Sequence, residues 1–307
     1  MDQVLIIEPG NLSRFVLSLG CIRAIIDEHP GAGISLLTSP AHLSLAEQIP
    51  GVGEIITDTG KAVNTPALVH RLASGGYTHI YDLQCSPLTR QYLRLMRWIL
   101  PPCELHWYQL PVPGESDDYR HLLLRKTRRF GCGSVSISGC TFIPRPTDLS
   151  FLRSSLGDIE LPESYALLIP GGPAAAGSTR WPAEHYAELA ARLGRRGIRS
   201  VILGSNAERS IIDTICGSNP GLCTDLSGQC SLSAVPALAT RARFCIGNVS
   251  GLTQLAALSG APTLVLCGAE DAETVARGRD TRILRSPGAL AELSPDAVCR
   301  SLGLDTP

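Results

Sequence analysis

Lysine is almost missing from this sequence: Lys61 and Lys126 are the only two, and the remaining cationic side chains are arginines. An anion bound by the glycine-rich loops described below must therefore be held by backbone N–H groups and arginine, although compositional bias alone accounts for the preference. A basic surplus is also absent, since the formal net charge is −1; a nucleic-acid partner is therefore not expected. No apolar run approaches the ~20 residues that span a bilayer. The opening Met1-Asp-Gln-Val-Leu-Ile-Ile7 starts on an acid and runs directly into a strand, which is not a signal-peptide pattern, so a cytoplasmic location is expected. Eleven cysteines are present, but they are scattered and form no Cys-x-x-Cys pair. An odd count without metal-type spacing predicts reduced, mostly buried thiols, with no metal and no cofactor.

At 307 residues, 44% hydrophobic and 18% charged, the chain is long enough for two globular domains with well-buried cores. Strand and helix signals alternate twice along it. In the N-terminal half, strands are predicted at Val4 to Glu8, Ile34 to Leu37, Glu54 to Thr57 and His79 to Leu83, with helices between them. A Gly/Ser/Pro-rich stretch from Gly131 to Pro146 weakens the pattern, so domains of residues 1–145 and 146–307 are expected. Just before it, Asp117 to Phe130 reads as a basic helix. The alternation then resumes, with strands at Tyr165 to Ile169, Ser200 to Leu203, Phe244 to Ile246 and, last, Thr263 to Cys267. Such spacing predicts an α/β fold of two Rossmann-like domains with parallel sheets, whose ligands bind at the carboxyl ends of the strands.

The most informative segment is Arg243-Phe-Cys-Ile-Gly-Asn-Val-Ser-Gly-Leu-Thr-Gln-Leu-Ala-Ala257. It reads as a short buried strand, a tight turn at Gly247-Asn248 and a helix opening at Ser250-Gly251. Free backbone N–H groups and the positive end of a helix dipole meet there, which suits a phosphate or a sugar hydroxyl. A second loop of similar character, Ile169-Pro-Gly-Gly-Pro-Ala-Ala-Ala-Gly-Ser-Thr-Arg-Trp-Pro182, lies about one βαβαβ unit earlier.

Taken with Val4-Leu-Ile-Ile7, Gly10-Asn-Leu-Ser13 and Tyr81-Asp-Leu-Gln84, these loops resemble the heptosyltransferase family of glycosyltransferases, family 9, over almost the whole chain. The resemblance implies a GT-B fold, two facing Rossmann-like domains with an interdomain cleft, acceptor on the first and nucleotide-sugar on the second. It also implies inverting transfer without a metal, from a nucleotide-diphosphate donor (ADP-heptose in the family) to a lipopolysaccharide-core or other glycan acceptor. A glycolipid acceptor would bring the chain into peripheral contact with the inner membrane, where the basic helix would meet anionic headgroups.

The chemistry-bearing positions depart from the family pattern. Its Leu-Gly-Asp, whose aspartate is the proposed base, is here Leu12-Ser13-Arg14, and arginine stays protonated at any accessible pH. The family lysine aligns with Thr179, its sugar-contacting aspartate with Val249, and its later histidine with Gln254. The remaining donor-side residues implied by the resemblance are Gly171, Gly172, Arg180, Glu208, Gly247, Asn248, Ser250, Gly251 and Asp271. Glu208 matches the ribose-contacting glutamate, yet a first-turn glutamate also favours a helix dipole by itself. Trp181 reads as core beneath the loop. Glu8, at the end of the first strand, is the replacement base of choice, with Asp82 second; pairing of Glu8 with Arg14 is the structural alternative. Three readings follow: a divergent transferase, a non-catalytic relative that binds a nucleotide-sugar or a protein, and, weakest, a nucleotide-sugar epimerase.

Overall fold

The computed structural model describes residues 2–59, 65–84, 86–99, 106–108, 159–172, 180–268, 278 and 280–304. The chain divides into two compact units, Met1–Val135 and Ser136–Pro307. The expected domain boundary and the basic helix at 117–130 lie outside the described residues.

In the first unit the strands are β1 (Gln3–Glu8), β2 (Gly33–Thr38), β3 (Glu54–Thr57), β4 (His79–Asp82) and β5 (His106–Tyr108). They pair in the order β3-β2-β1-β4-β5, every pair parallel. The helices are α1 (Leu12–Glu28), α2 (Leu43–Ala46), α3 (Thr65–Ala73) and α4 (Pro87–Ile99). Because side chains alternate along a strand, Leu5 and Ile7 of β1 pack with Leu68, Val69 and Leu72 of α3 and Tyr92 of α4. Val4, Ile6 and Glu8 fall on the other face, and Phe15, Ile22 and Ile25 of α1 are buried as fully.

The second unit has six strands: β6 (Tyr165–Ile169), β7 (Arg199–Ile202), β8 (Cys223–Asp225), β9 (Phe244–Asn248), β10 (Thr263–Cys267) and β11 (Thr281–Arg285). Their order is β11-β10-β9-β6-β7-β8, all parallel. Counted from β6, this is the 3-2-1-4-5-6 order of a dinucleotide-binding sheet. Helices α5 (Ala183–Gly194), α6 (Arg209–Gly217), α7 (Val235–Arg241), α8 (Gly251–Leu258) and α9 (Pro295–Ser301) complete it. Trp181, Tyr186 and Leu189, with Val298 and Cys299 of α9, share one core with Leu168, Ile202 and Ile246.

Two expectations need correction. Thr263–Cys267 is not the last strand, since β11 follows it; Thr281–Arg285 is a half-exposed edge strand with two charged residues among five and no clear alternation, so its signal is weak. Gly247 and Asn248 are not in a turn but form the end of β9, so the chain turns one residue later, at Val249. Seven cysteines are described, all as free thiols: Cys21, Cys245, Cys267 and Cys299 are buried, and Cys216, Cys223 and Cys230 partly so. Burial pushes the Cys245 thiol up to about 12, which keeps it unreactive.

Candidate functional site

Each sheet reverses its strand order at one point, between β1 and β4 in the first unit and between β6 and β9 in the second. The loops that leave the carboxyl ends at such a point diverge to opposite faces and open a crevice. Most of the candidate residues stand at these two places.

In the second unit Asn248 ends β9 with its side chain fully buried. Its amide nitrogen donates to the carbonyls of Pro170 (2.8 Å) and Gly171 (3.3 Å). Its amide oxygen accepts from Trp181 N–H (3.1 Å) and the Tyr186 hydroxyl (3.2 Å). Two N–H donors and two lone pairs are the full capacity of a carboxamide. Aspartate could not do this, since it would face two carbonyls without a proton to give. Burial drives the Tyr186 hydroxyl far above the ordinary phenol range, so it remains a donor. The Asn248 side chain thus clamps the β6 loop to the end of β9.

The glycines divide into two kinds. A Cβ on Gly247 would lie 2.4 Å from Thr253 Oγ1 and 2.8 Å from the Ile169 carbonyl, so close approach of β9 to β6 demands glycine there. On Gly172 a Cβ would meet nothing nearer than 3.7 Å, and on Gly171 only the Glu208 side chain at 3.4 Å. Packing among the described residues does not require glycine at 172.

Arg180 donates through Nε (3.2 Å) and Nη2 to the Gly172 carbonyl. The same Nη2 lies 3.6 Å from Glu208 Oε1, with 24% of the arginine side chain exposed. Glu208 turns its other oxygen to Ser205, accepting from its N–H (2.8 Å) and hydroxyl (2.6 Å) in a capping box. The Ser205-x-x-Glu208 spacing carried that signal in the sequence. Ser250 caps α8 by accepting from Thr253 N–H (3.2 Å), with Gly251 buried behind it as the first helical residue. Val249 is half-buried in the connecting turn, and Gln254 is buried in α8. Trp181 is core, as expected, donating its indole N–H to the Leu293 carbonyl (2.7 Å). Thr179 and Asp271 lie outside the described residues.

In the first unit Glu8 is fully buried at the end of β1, and Ser18 of α1 donates its hydroxyl to Glu8 Oε2 at 2.9 Å. Oε1 lies under Gly10, where a Cβ would be 2.6 Å from it and 3.3 Å from the Arg14 side chain. Asn11 caps α1 by accepting from Arg14 N–H (3.0 Å). The Arg14 guanidinium donates to the Gln84 carbonyl (2.7 Å), which ties the loop after β1 to the loop after β4. Ser13 is half-buried beside it. Asp82 accepts from Thr89 Oγ1 (2.7 Å) and Gln84 N–H (3.1 Å), bonds that close the turn into α4. Ser18, Gln84, Thr89 and Ser205 were not among the candidate residues, because partners of this kind carry no spacing rule except the capping box.

Two parallel sheets of this kind, with glycine loops at the switch points, define a two-unit α/β protein of the GT-B class. Three solved structures share the fold. The Escherichia coli ADP-heptose LPS heptosyltransferase II is 19% identical, with a TM-score of 0.75 over 99% of this chain and 98% of that one. A family 9 glycosyl transferase from Veillonella parvula is 15% identical, with a TM-score of 0.78 over 99% and 98%. An E. coli heptosyltransferase bound to ADP is 16% identical, with a TM-score of 0.71 over 99% and 100%. Residues 146–286 match the sequence model of glycosyltransferase family 9 (heptosyltransferase). Lipopolysaccharide heptosyltransferase 2 of Salmonella typhimurium is 32% identical over 93 residues, which are 29% of this chain and only 27% of that protein. Over residues 146–286 the chain is similar to the heptosyltransferases of glycosyltransferase family 9.

Proposed function

We propose that this chain is a glycosyltransferase that moves a sugar from a nucleotide-diphosphate donor, of the ADP-heptose kind, to a saccharide or glycolipid acceptor. The donor's diphosphate sits on the backbone N–H groups of Gly171 and Gly172 and the amino end of α8, with Arg180 as the cation. The acceptor belongs to the N-terminal unit. Transfer inverts the anomeric centre and uses no metal: Glu8 takes the acceptor's proton, and the leaving diphosphate's charge develops against preorganised donors. The observation that carries this reading is the convergence of Gly172, Arg180, Glu208 and Asn248, from three separate loops, at one switch point. A lipopolysaccharide-type acceptor would draw the protein to the cytoplasmic face of the inner membrane; no described helix is long and apolar enough to cross it.

The test is a thermal-unfolding panel with ADP-, UDP-, GDP- and CDP-sugars beside the free nucleotides, followed by turnover assays. A ligand that binds only the native state raises the melting temperature by mass action. One nucleotide-sugar is expected to exceed its own nucleotide, and no shift with any of them overturns the reading. A second reading, donor binding without transfer, is favoured by the complete burial of Glu8 and its bond to Ser18. It predicts the same donor shift with no turnover for any acceptor.

A further inference from the structure

At the amino-terminal edge of the first sheet, opposite the edge that carries Glu8 and Asp82, three potential ligands converge. Asp2 precedes β1, His29 ends α1 and His79 opens β4. One ligand atom from each lies within 4.8 Å of the other two. We propose that Asp2, His29 and His79 bind one divalent transition-metal ion of the zinc, cobalt or nickel kind.

Two imidazoles and a carboxylate are a ligand set for these borderline cations rather than for calcium or magnesium. Neighbouring groups already orient both rings. The Thr78 hydroxyl donates to the Gln3 carbonyl (3.1 Å), so towards His79 Nδ1, 3.0 Å away, it acts as acceptor. His79 therefore carries its proton on Nδ1 and a lone pair on Nε2. His29 Nε2 lies 2.7 Å from the Tyr81 hydroxyl, and with the proton on Nε2 its Nδ1 is left to ligate. Ligating histidines are usually held through their second nitrogen in this way. The two rings lie 4.6 Å apart, a contact that a shared cation relieves and two imidazolium charges would break. Bonds of about 2.0–2.1 Å in tetrahedral geometry put ligand atoms about 3.4 Å apart. Asp2, exposed ahead of β1, is the ligand freest to adjust to that spacing. The ion would fasten the start of β1, the end of α1 and the start of β4 together, away from the transfer site and independently of whether transfer occurs.

The experiment is titration of the chelator-treated full-length protein with Co(II) and Ni(II), followed by visible absorption and thermal unfolding. One ion per chain is expected, with a raised melting temperature. His79→Ala and Asp2→Asn should each weaken binding at least tenfold, and Tyr81→Phe about 10–100-fold. Asp2→Asn, at an exposed position, should leave the metal-free melting temperature unchanged, so loss of binding in it is not loss of fold. No binding by the parent protein, equal binding by Asp2→Asn and His79→Ala, or intense thiolate charge-transfer bands that place the ion on cysteines would each overturn the proposal.

Discussion

The two switch points of this molecule are built alike and furnished differently. In the C-terminal unit Asn248 clamps the loops after β6 and β9, and among the described residues a Cβ on Gly172 would meet nothing nearer than 3.7 Å. In the N-terminal unit the carboxylate of Glu8 is under Gly10 and bonded to Ser18, while Arg14 reaches over to the Gln84 carbonyl. One place holds two loops together through a single buried carboxamide; the other spreads its polar bonds over Ser18, Arg14 and Gln84. The difference teaches that two switch points of the same topology can commit their buried polar side chains to different tasks, one to a clamp between loops and the other to bonds around a carboxylate.

The largest effect should come from breaking the clamp. Asn248→Ala leaves the Pro170 carbonyl, Trp181 N–H and Tyr186 hydroxyl buried without their partner. At about 1–3 kcal/mol for each buried group left unsatisfied, with partial relaxation, the loss of stability should be about 3–5 kcal/mol. Urea unfolding followed at the C-terminal unit would measure it. A loss below about 1 kcal/mol would mean that the loops hold each other without this side chain, and the contrast between the two regions would collapse.

Next in size, paired glycine substitutions separate packing from binding. Gly247→Ala forces a Cβ against Thr253 and the Ile169 carbonyl, and overpacking of this kind costs about 1–3 kcal/mol. Gly172→Ala meets no close atom and should change stability by less than about 0.5 kcal/mol, while reducing the donor-induced thermal shift. If both variants lose stability and neither specifically loses donor binding, Gly171-Gly172 is packing and not a cradle.

In the N-terminal unit, Arg14→Ala removes the bond to the Gln84 carbonyl and should lower stability by about 1.5 kcal/mol, with the donor shift unchanged. A weakened nucleotide response would instead place Arg14 on the phosphate. Glu8→Gln distinguishes the two functional readings: turnover abolished with donor binding kept supports the base, whereas turnover unaffected removes Glu8 from the chemistry.

How much of this was legible follows the same division. Tyr165–Ile169 and Glu54–Thr57 match the predicted strands to the residue, since a short apolar or alternating run between turn residues has few other solutions. Cys223–Asp225 was not foreseen, being three half-buried residues at a sheet edge, and the same holds for α4, whose Pro87 start has no apolar strand after it in a clear pattern. At the sites, the family resemblance alone grouped Gly171, Arg180 and Glu208 on the donor side. Residue type and spacing could not say that Asn248 is fully engaged by four bonds, because its partners Pro170, Trp181 and Tyr186 are 62 to 78 residues away. Nor could they say whether Glu8 pairs with Arg14; the partner that the fold supplies to Oε2 is Ser18.

The smallest effect concerns acidity around Glu8. His42, buried against Phe15 with ring centroids 4.8 Å apart, has its imidazole held below the ordinary 6.5 by burial, while the charge of Glu8 pulls the other way. The folded state therefore binds fewer protons at this site than the unfolded chain once the pH falls below about 6.5. Stability is fully present above that value and declines as acid is added down to the folded pKa, by at most about 1.4 kcal/mol per pH unit for one group. His29 is lowered too, by burial and then by His79, so a His42→Gln variant removes only part of the slope. The measurement is the difference between the urea midpoints of parent and variant from pH 7.5 to 5. It should narrow as the pH falls, with the variant the less sensitive. A gap that widens would mean that the charge of Glu8 dominates over burial, and that the carboxylate beneath Gly10 stabilises a protonated His42 instead of standing apart from it.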